Sequence, residues 1–83
     1  MKAVYFAWVR ERIGKTEEEI SPPETIATVG ELIGWLKAQG DEYANAFENQ
    51  KSIRAAIDRT HVKHDASIKN AREIAFFPPM TGG

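Results

Sequence analysis

An unbroken apolar run, Ala3-Val4-Tyr5-Phe6-Ala7-Trp8-Val9, opens the hydrophobic pattern and predicts a first strand over residues 3–9. Side chains alternate across a strand, so Val4, Phe6 and Trp8 would share one face and Tyr5, Ala7 and Val9 the other. Arg10-Glu11-Arg12-Ile13-Gly14 reads as a short turn or a single helical turn closed by glycine. Thr16 to Ile20 can pair back as a second strand, with Glu17-Glu18-Glu19 as a solvated edge, and Ser21-Pro22-Pro23 marks a loop. The pattern then changes period. Val29, Leu32, Ile33 and Leu36 fall at i, i+3, i+4 and i+7, which is one face of a helix ending at Gly40. Thr28 and Glu31 have capping-box spacing at its start. Gly30 and Gly34 each cost about 1 kcal/mol of helix propensity relative to Ala, so either neighbouring backbone packs closely there, which is the expectation, or the helix is only moderately stable alone.

Beyond this helix, Asp41 to Phe47 predicts a short helix that packs Tyr43 and Phe47. Ile53, Ala55 and Ile57 alternate with Arg54 and Ala56 in a further strand, Asp58-Arg59-Thr60 offers a turn, and His61-Val62-Lys63 a short return strand. Asp65 to Ile68 reads as a tight turn with Ile68 tucked in, and Glu73 to Phe77 as the last strand. Strand, strand, helix and then two or three strands predict an α+β domain: a mixed sheet of four or five strands with one main helix across one face, as in the β-grasp. In the first and last strands both faces are apolar, with Ile74 and Phe76 opposed to Ala75 and Phe77. One helix covers one face. Unless the segment from Gly40 to Gln50 covers the second, the uncovered face presents an interaction surface.

Composition narrows the remaining possibilities. With 83 residues the chain has room for one small domain, expected over residues 1–79 with a flexible tail over 80–83, and a deep internal catalytic cleft is not expected. The sequence holds no cysteine, hence no disulfide, no thiolate metal site and no thiol nucleophile. A net charge of −1 with interspersed signs offers no stripe for a nucleic-acid backbone. The apolar N-terminal run is too short for a bilayer span and lacks a signal-cleavage pattern, so the expectation is a cytoplasmic protein that engages neither membrane nor nucleic acid. His61 and His64 have no third ligand at a metal-binding spacing and are read as exposed histidines, with no metal site. Trp8 and Trp35 are read as packing residues. No glycine-rich phosphate loop and no Ser/His/Asp arrangement occurs.

The chemistry concentrates at Phe76-Phe77-Pro78-Pro79-Met80-Thr81-Gly82-Gly83. Consecutive prolines donate no backbone hydrogen bond and hold φ nearly fixed, so Pro78-Pro79 should end the last strand and stiffen the chain as it leaves the domain. Four extended residues beyond the prolines would reach about 13 Å, and glycine, lacking Cβ, can thread a narrow cleft. A carboxylate on Gly83 is a poor electrophile until it is activated. Adenylation by ATP, bound by a partner, would make an acyl-adenylate open to a sulfur or nitrogen nucleophile.

Val4-Tyr5-Phe6-Ala7, then Val9-Arg10-Glu11 and Gly14, the Thr28-Val29 helix entry, and Glu73 to Pro79 followed by Thr81-Gly82-Gly83 together resemble the small subunit of molybdopterin synthase. The resemblance runs essentially end to end, and the terminal motif is its specific part. It implies a ubiquitin-like β-grasp and a sulfur carrier of molybdenum cofactor biosynthesis. On that resemblance a ubiquitin-activating-like adenylyltransferase would use ATP on the Gly83 carboxylate, and a sulfur donor system would convert it to a thiocarboxylate, a C-terminal 1-thioglycine. The chain itself would hold no cofactor. The tail would then enter the large subunit of a heterotetramer, where the Gly83 sulfur attacks cyclic pyranopterin monophosphate and two deliveries build the dithiolene. Gly83 would be the reacting position and Gly82 the steric gate. Phe6, Phe77, Pro78, Pro79, Met80 and Thr81 would dock on the partners, with Arg10 part of the same family motif.

Against that pattern, Ile57-Asp58 stands where relatives commonly carry valine-asparagine. Lys69-Asn70-Ala71-Arg72-Glu73 replaces an aspartate-glycine-aspartate turn, and His61 takes an edge position often filled by an apolar residue. The same tail chemistry would serve a sulfur carrier for another pathway, such as thiamin or tungsten-cofactor synthesis, and an activated Gly83 would also suit a ubiquitin-like modifier joined to lysines. A third alternative is a plain binding module in which the diglycine is incidental.

Overall fold

The computed structural model describes residues 1–79, and the expected tail over Met80, Thr81, Gly82 and Gly83 lies outside them. The first strand, β1, spans Lys2–Tyr5 and is shorter than the apolar run predicts. Ala7–Ile13 forms a helix, α1, in place of the second half of that strand. Ala7 takes a positive φ of 52°, turning the chain out of the sheet direction, and Val9 and Ile13, four residues apart, become the buried stripe of the new helix. The run is ambiguous because a continuous apolar segment carries no period with which to separate strand from helix. Gly14 closes α1 with φ 85°, the left-handed C-terminal cap that glycine adopts without penalty, and its N–H donates to the Arg10 carbonyl.

Four further strands occur in the predicted order: β2 at Glu17–Glu19, β3 at Arg54–Ile57, β4 at Thr60–Val62 and β5 at Glu73–Phe77. The sheet order is β2-β1-β5-β3-β4, so the strand latest in the chain lies at the centre. β1 and β5 run parallel, with Tyr5 opposite Phe76, and the other neighbours are antiparallel. The main helix, α2, spans Val29–Lys37, and a short helix, α3, spans Asp41–Ala46. Among the described residues three α-helices therefore stand where one main helix, one short helix and a turn or single helical turn over residues 10–14 were expected.

Every position of the predicted α2 stripe, Val29, Leu32, Ile33 and Leu36, is buried. These residues share one core with Ala3 and Tyr5 of β1, Ile74 and Phe76 of β5, Ala55 of β3, and Tyr43 and Phe47 at α3. Phe76 stacks on Tyr5 at 6.3 Å between ring centroids and meets the edge of Phe47 at 5.3 Å. The segment after Gly40 thus adds to the core on the helical side and does not cross to the other face. The Gly30 N–H donates to the His64 carbonyl at 2.8 Å, but a Cβ on Gly30 would meet that oxygen at 3.4 Å, an ordinary contact. A Cβ on Gly34 would meet nothing within 4 Å, so packing gives no reason for glycine at either position.

The capping box forms as its spacing predicts. The Thr28 hydroxyl accepts from the Glu31 N–H at 3.2 Å, and the Glu31 carboxylate accepts from the Thr28 and Ala27 N–H groups at 3.2 and 2.7 Å. Thr28→Ala should lower the stability of the domain by about 1 kcal/mol. Urea unfolding would record this as a lower midpoint with an unchanged slope.

Both stretches that depart from the family pattern are turns, and the structure joins them. Asp58 and Arg59 have positive φ, 48° and 72°, between the paired residues Ile57 and Thr60, the two-residue geometry that matches strand twist in a hairpin. Asn70, at φ 65°, supplies a left-handed residue in the other turn. The Asp58 carboxylate accepts from the Arg72 and Glu73 N–H groups at 3.1 and 3.0 Å, tying the hairpin to the entry of β5.

Candidate functional site

Alternation along the strands sorts the sheet into two faces. Ala3, Tyr5, Ile74, Phe76 and Ala55 point into the core beneath the helices. Lys2, Val4, Ala75, Phe77, Arg54, Ala56 and His61 therefore occupy the opposite face. Cross-strand contacts agree: the Lys2 ammonium lies 3.7 Å from carboxylates of both Glu17 and Glu73, and the His61 ring is 5.2 Å from the Phe77 ring. Ala56 and Ala75 form a shallow floor, and Val4 and Phe77 are half-buried beside it.

Phe6 stands at the end of this face. It is the one large apolar residue exposed among the described residues, at 46 %. Its N–H donates to the Phe76 carbonyl at 3.1 Å, extending the β1–β5 pairing by one step and bringing it level with Phe77. An extended residue just before a helix, Phe6 offers no side-chain cap. Its carbonyl instead accepts from the N–H groups of Val9 and Arg10, which sets exposed Arg10 one turn along α1 from it. Pro78 and Pro79 continue from Phe77 half-buried and outside any strand. Phe6, Arg10, Phe77, Pro78 and Pro79 are thus gathered at the end of the sheet from which the chain departs toward Gly83. Met80, Thr81, Gly82 and Gly83 lie outside the described residues. Trp8, assigned by sequence to this sheet face, instead lies on α1 beneath the Arg12 guanidinium at 4.5 Å.

A polar cluster that sequence reasoning missed sits on the helical side. Glu18 alternates inward between exposed Glu17 and Glu19, and its Oε2 accepts from the Tyr5 and Tyr43 hydroxyls at 2.7 and 2.6 Å. Lys15 Nζ donates to Glu18 Oε1 at 3.1 Å and to the Tyr43 hydroxyl at 3.2 Å. Register is the signal that could have found it, because Glu18 pairs with buried Ala3. Desolvation by itself would raise the Glu18 pKa, but the hydrogen bonds from Tyr43, Tyr5 and Lys15 together outweigh it and hold the carboxyl below its ordinary range. Burial, and then the bond to Glu18, push the Tyr5 hydroxyl far upward, and the same two causes raise Tyr43.

The lowered Glu18 carboxyl stabilises the fold above the ordinary carboxylate range, and that contribution is lost as pH falls through its folded value. The raised tyrosines stabilise below their ordinary value of 10.0 and lose that contribution as pH rises beyond it. Glu18→Gln should cost roughly 1.5–3 kcal/mol at neutral pH, where the charged acceptor of three donors is lost. It should also flatten the acid limb of stability against pH, measured by urea unfolding across the acidic range.

His64 is half-buried rather than exposed, with Nε2 2.7 Å from the Ile53 carbonyl oxygen, whereas His61 is exposed. No group of three His, Cys, Asp or Glu side chains arranged to hold a metal occurs among the described residues. No helix among them is long and apolar enough to cross a membrane. The hollows on the surface are shallow and open. One lies between the Pro22–Ala27 and Ser67–Ala71 loops, away from the sheet end described above.

A five-stranded mixed sheet with its helices on one face and an open second face that carries Val4, Ala56, Ala75 and Phe77 defines a ubiquitin-like β-grasp protein. The chain belongs to the ThiS family, whose model matches residues 3–83. It is 39 % identical to the molybdopterin synthase sulfur carrier subunit of Escherichia coli strain K12 over 83 residues, covering all of this chain and 99 % of that one. Among solved structures it resembles a Pyrococcus furiosus protein provisionally described as molybdopterin converting factor subunit 1, with TM-score 0.73, 28 % identity and 95 % of each chain covered. Small archaeal modifier protein 1 of Haloferax volcanii shares the fold, with TM-score 0.70, 21 % identity and coverage of 96 % of this chain and 97 % of that one.

Proposed function

We propose that this chain is the sulfur-carrier subunit of a molybdopterin synthase, acting in the cytoplasm. The observation that carries the reading is the end-to-end similarity to the Escherichia coli carrier subunit, in a sequence that runs Phe77-Pro78-Pro79-Met80-Thr81-Gly82-Gly83. The domain's part is presentation. In this reading a partner grips Phe6, Arg10 and Phe77 at the sheet end and receives the residues that follow Pro78-Pro79 in the sequence.

In this reading an adenylyltransferase of the ubiquitin-activating kind attaches the Gly83 carboxylate to AMP, with loss of pyrophosphate from ATP. A sulfur donor displaces AMP and leaves a thiocarboxylate. The large subunit then receives residues 80–83, and the Gly83 sulfur forms a C–S bond to cyclic pyranopterin monophosphate as a C–O bond at that carbon breaks. Hydrolysis of the acyl–sulfur bond returns the Gly83 carboxylate and leaves the sulfur on the product. Glycine suits the reacting end because neither Gly82 nor Gly83 carries a side chain to obstruct a narrow channel. No cofactor is required on this chain, since ATP and the pterin are bound by its partners.

The test is the intact mass of the protein after incubation with ATP, a sulfur donor and extract from its own source. A C-terminal gain equal to exchange of one oxygen for sulfur is the expected result. Its absence under conditions that load a known carrier would remove the sulfur-transfer reading. Conjugates that survive reduction and boiling would point to a protein modifier joined through Gly83.

A further inference from the structure

We infer that the free protein pairs with a second copy of itself, face to face through the open side of the sheet, about a twofold axis running along β5. The inference goes beyond the carrier reading and does not depend on it. It rests on the cross-strand register, which sets Glu17, Val4, Ala75, Ala56 and His61 in one row across the sheet from β2 to β4. Ala75, on the central strand, is the middle of that row.

Rotation by half a turn about β5 lays β2 over β4 and β1 over β3 and returns β5 to itself. Glu17 then faces His61 of the second copy, Val4 faces Ala56, and Ala75 meets its own counterpart. In the neighbouring row, Phe77 pairs with Arg54 across the sheet and Phe6 stands on the other side of Phe77. The same rotation sets Phe6 against the Arg54 guanidinium of the second copy, a cation over an aromatic face.

The charge layout obeys the same symmetry. The β2 side carries Glu17 and Glu19, with Lys2 between Glu17 and Glu73, whereas the β3–β4 side carries Arg54, His61 and Lys63. A twofold along the strands brings the acidic side onto the basic side. A twofold across the strands would set Glu17 on Glu17 and fold the side carrying Arg54 and Lys63 onto itself, so like charge selects the first arrangement. The alanine floor lets the two sheets approach, and aligned sheets packed face to face are a common way to bury such surfaces.

Five strands span roughly 20 Å and the three rows about 13 Å, which places the total buried area near or below 1,000 Å², the low end for a specific interface. The dimer is accordingly weak and reversible, with a dissociation constant above about 1 μM. It covers Phe6 and Phe77 in the free protein, and any partner that docks on those residues must displace it.

Sedimentation velocity of the full chain from about 10 μM to 1 mM should show a monomer–dimer equilibrium that weakens with added salt. Glu17→Lys and His61→Glu should each weaken association by at least about fivefold, and the double exchange should recover it to within about twofold. Circular dichroism would verify that each variant is folded. Using the unmodified protein alone, amide shifts on dilution should be confined to Val4, Ala56, Ala75, His61, Glu17 and their neighbours. A monomer throughout the range, single exchanges without effect, a double exchange without recovery, or dilution shifts centred on α2 or α3 would each overturn the inference.

Discussion

Removal of Gly83 is expected to abolish sulfur loading and product formation while leaving the fold and its stability unchanged. The expected loss is complete in the intact-mass experiment, because the deletion moves the carboxylate back by one residue, about 3.3 Å along an extended chain. A group held that far from a reacting phosphorus cannot attack it, and misplacement of even 1 Å can cost about a hundredfold. The fold should be indifferent, since every residue of the core lies between Ala3 and Phe76. Gly82→Val separates length from bulk: the carboxylate keeps its reach, but the β-branched side chain restricts φ and ψ and widens the segment. Loading of Gly82→Val should fall steeply with the urea midpoint unmoved. Full loading of the deletion variant would show that Gly83 is not the reacting position.

The largest structural effect is expected at Phe76. Its ring is fully buried on the central strand, stacked on Tyr5 and met edge-on by Phe47. Phe76→Ala should destabilise the domain by about 3–5 kcal/mol, combining lost transfer energy with the cavity left behind. A small domain holds only about 5–15 kcal/mol in total, so the variant would be marginal at room temperature. The adjacent Phe77 gives the contrast. It is half-buried on the open face, and Phe77→Ala should cost less than about 1 kcal/mol of stability while weakening partner capture. Urea unfolding of the two variants side by side checks the assignment of the faces, and equal losses would contradict it.

Where the hydrophobic period is strong, the structure is readable in advance. The α2 stripe and its Thr28 cap, the turn at Asp58-Arg59 and the span of β5 are all legible, because each rests on a local signal of spacing or capping chemistry. The opening run is not. Residues 3–9 contain no charged residue to set a period, and the strand gives way to the helix at Ala7, whose positive φ no local signal announces. The inward turn of Glu18 is hidden for a related reason, since three successive glutamates look equivalent until pairing with Ala3 distinguishes the middle one. For the candidate site, Phe6 and Phe77 can be named from the sequence. The alanine floor between the edges of opposite charge cannot, because alanine says nothing about which face it occupies.

The central place of β5 also orders events during synthesis. β1 leaves the ribosome first, yet its parallel neighbour lies some seventy residues later in the chain, with Lys2 opposite Glu73. A pairing of such long range cannot form until the loop between its strands is complete, and closing that loop is slow compared with local helix formation. β3 likewise waits for β5 on its other side. An incomplete chain that stops before Glu73 therefore has two half-sheets and no middle. It lacks the open face with Phe77 as well as every residue beyond it, so a prematurely ended product neither folds nor competes with the finished carrier for its partners.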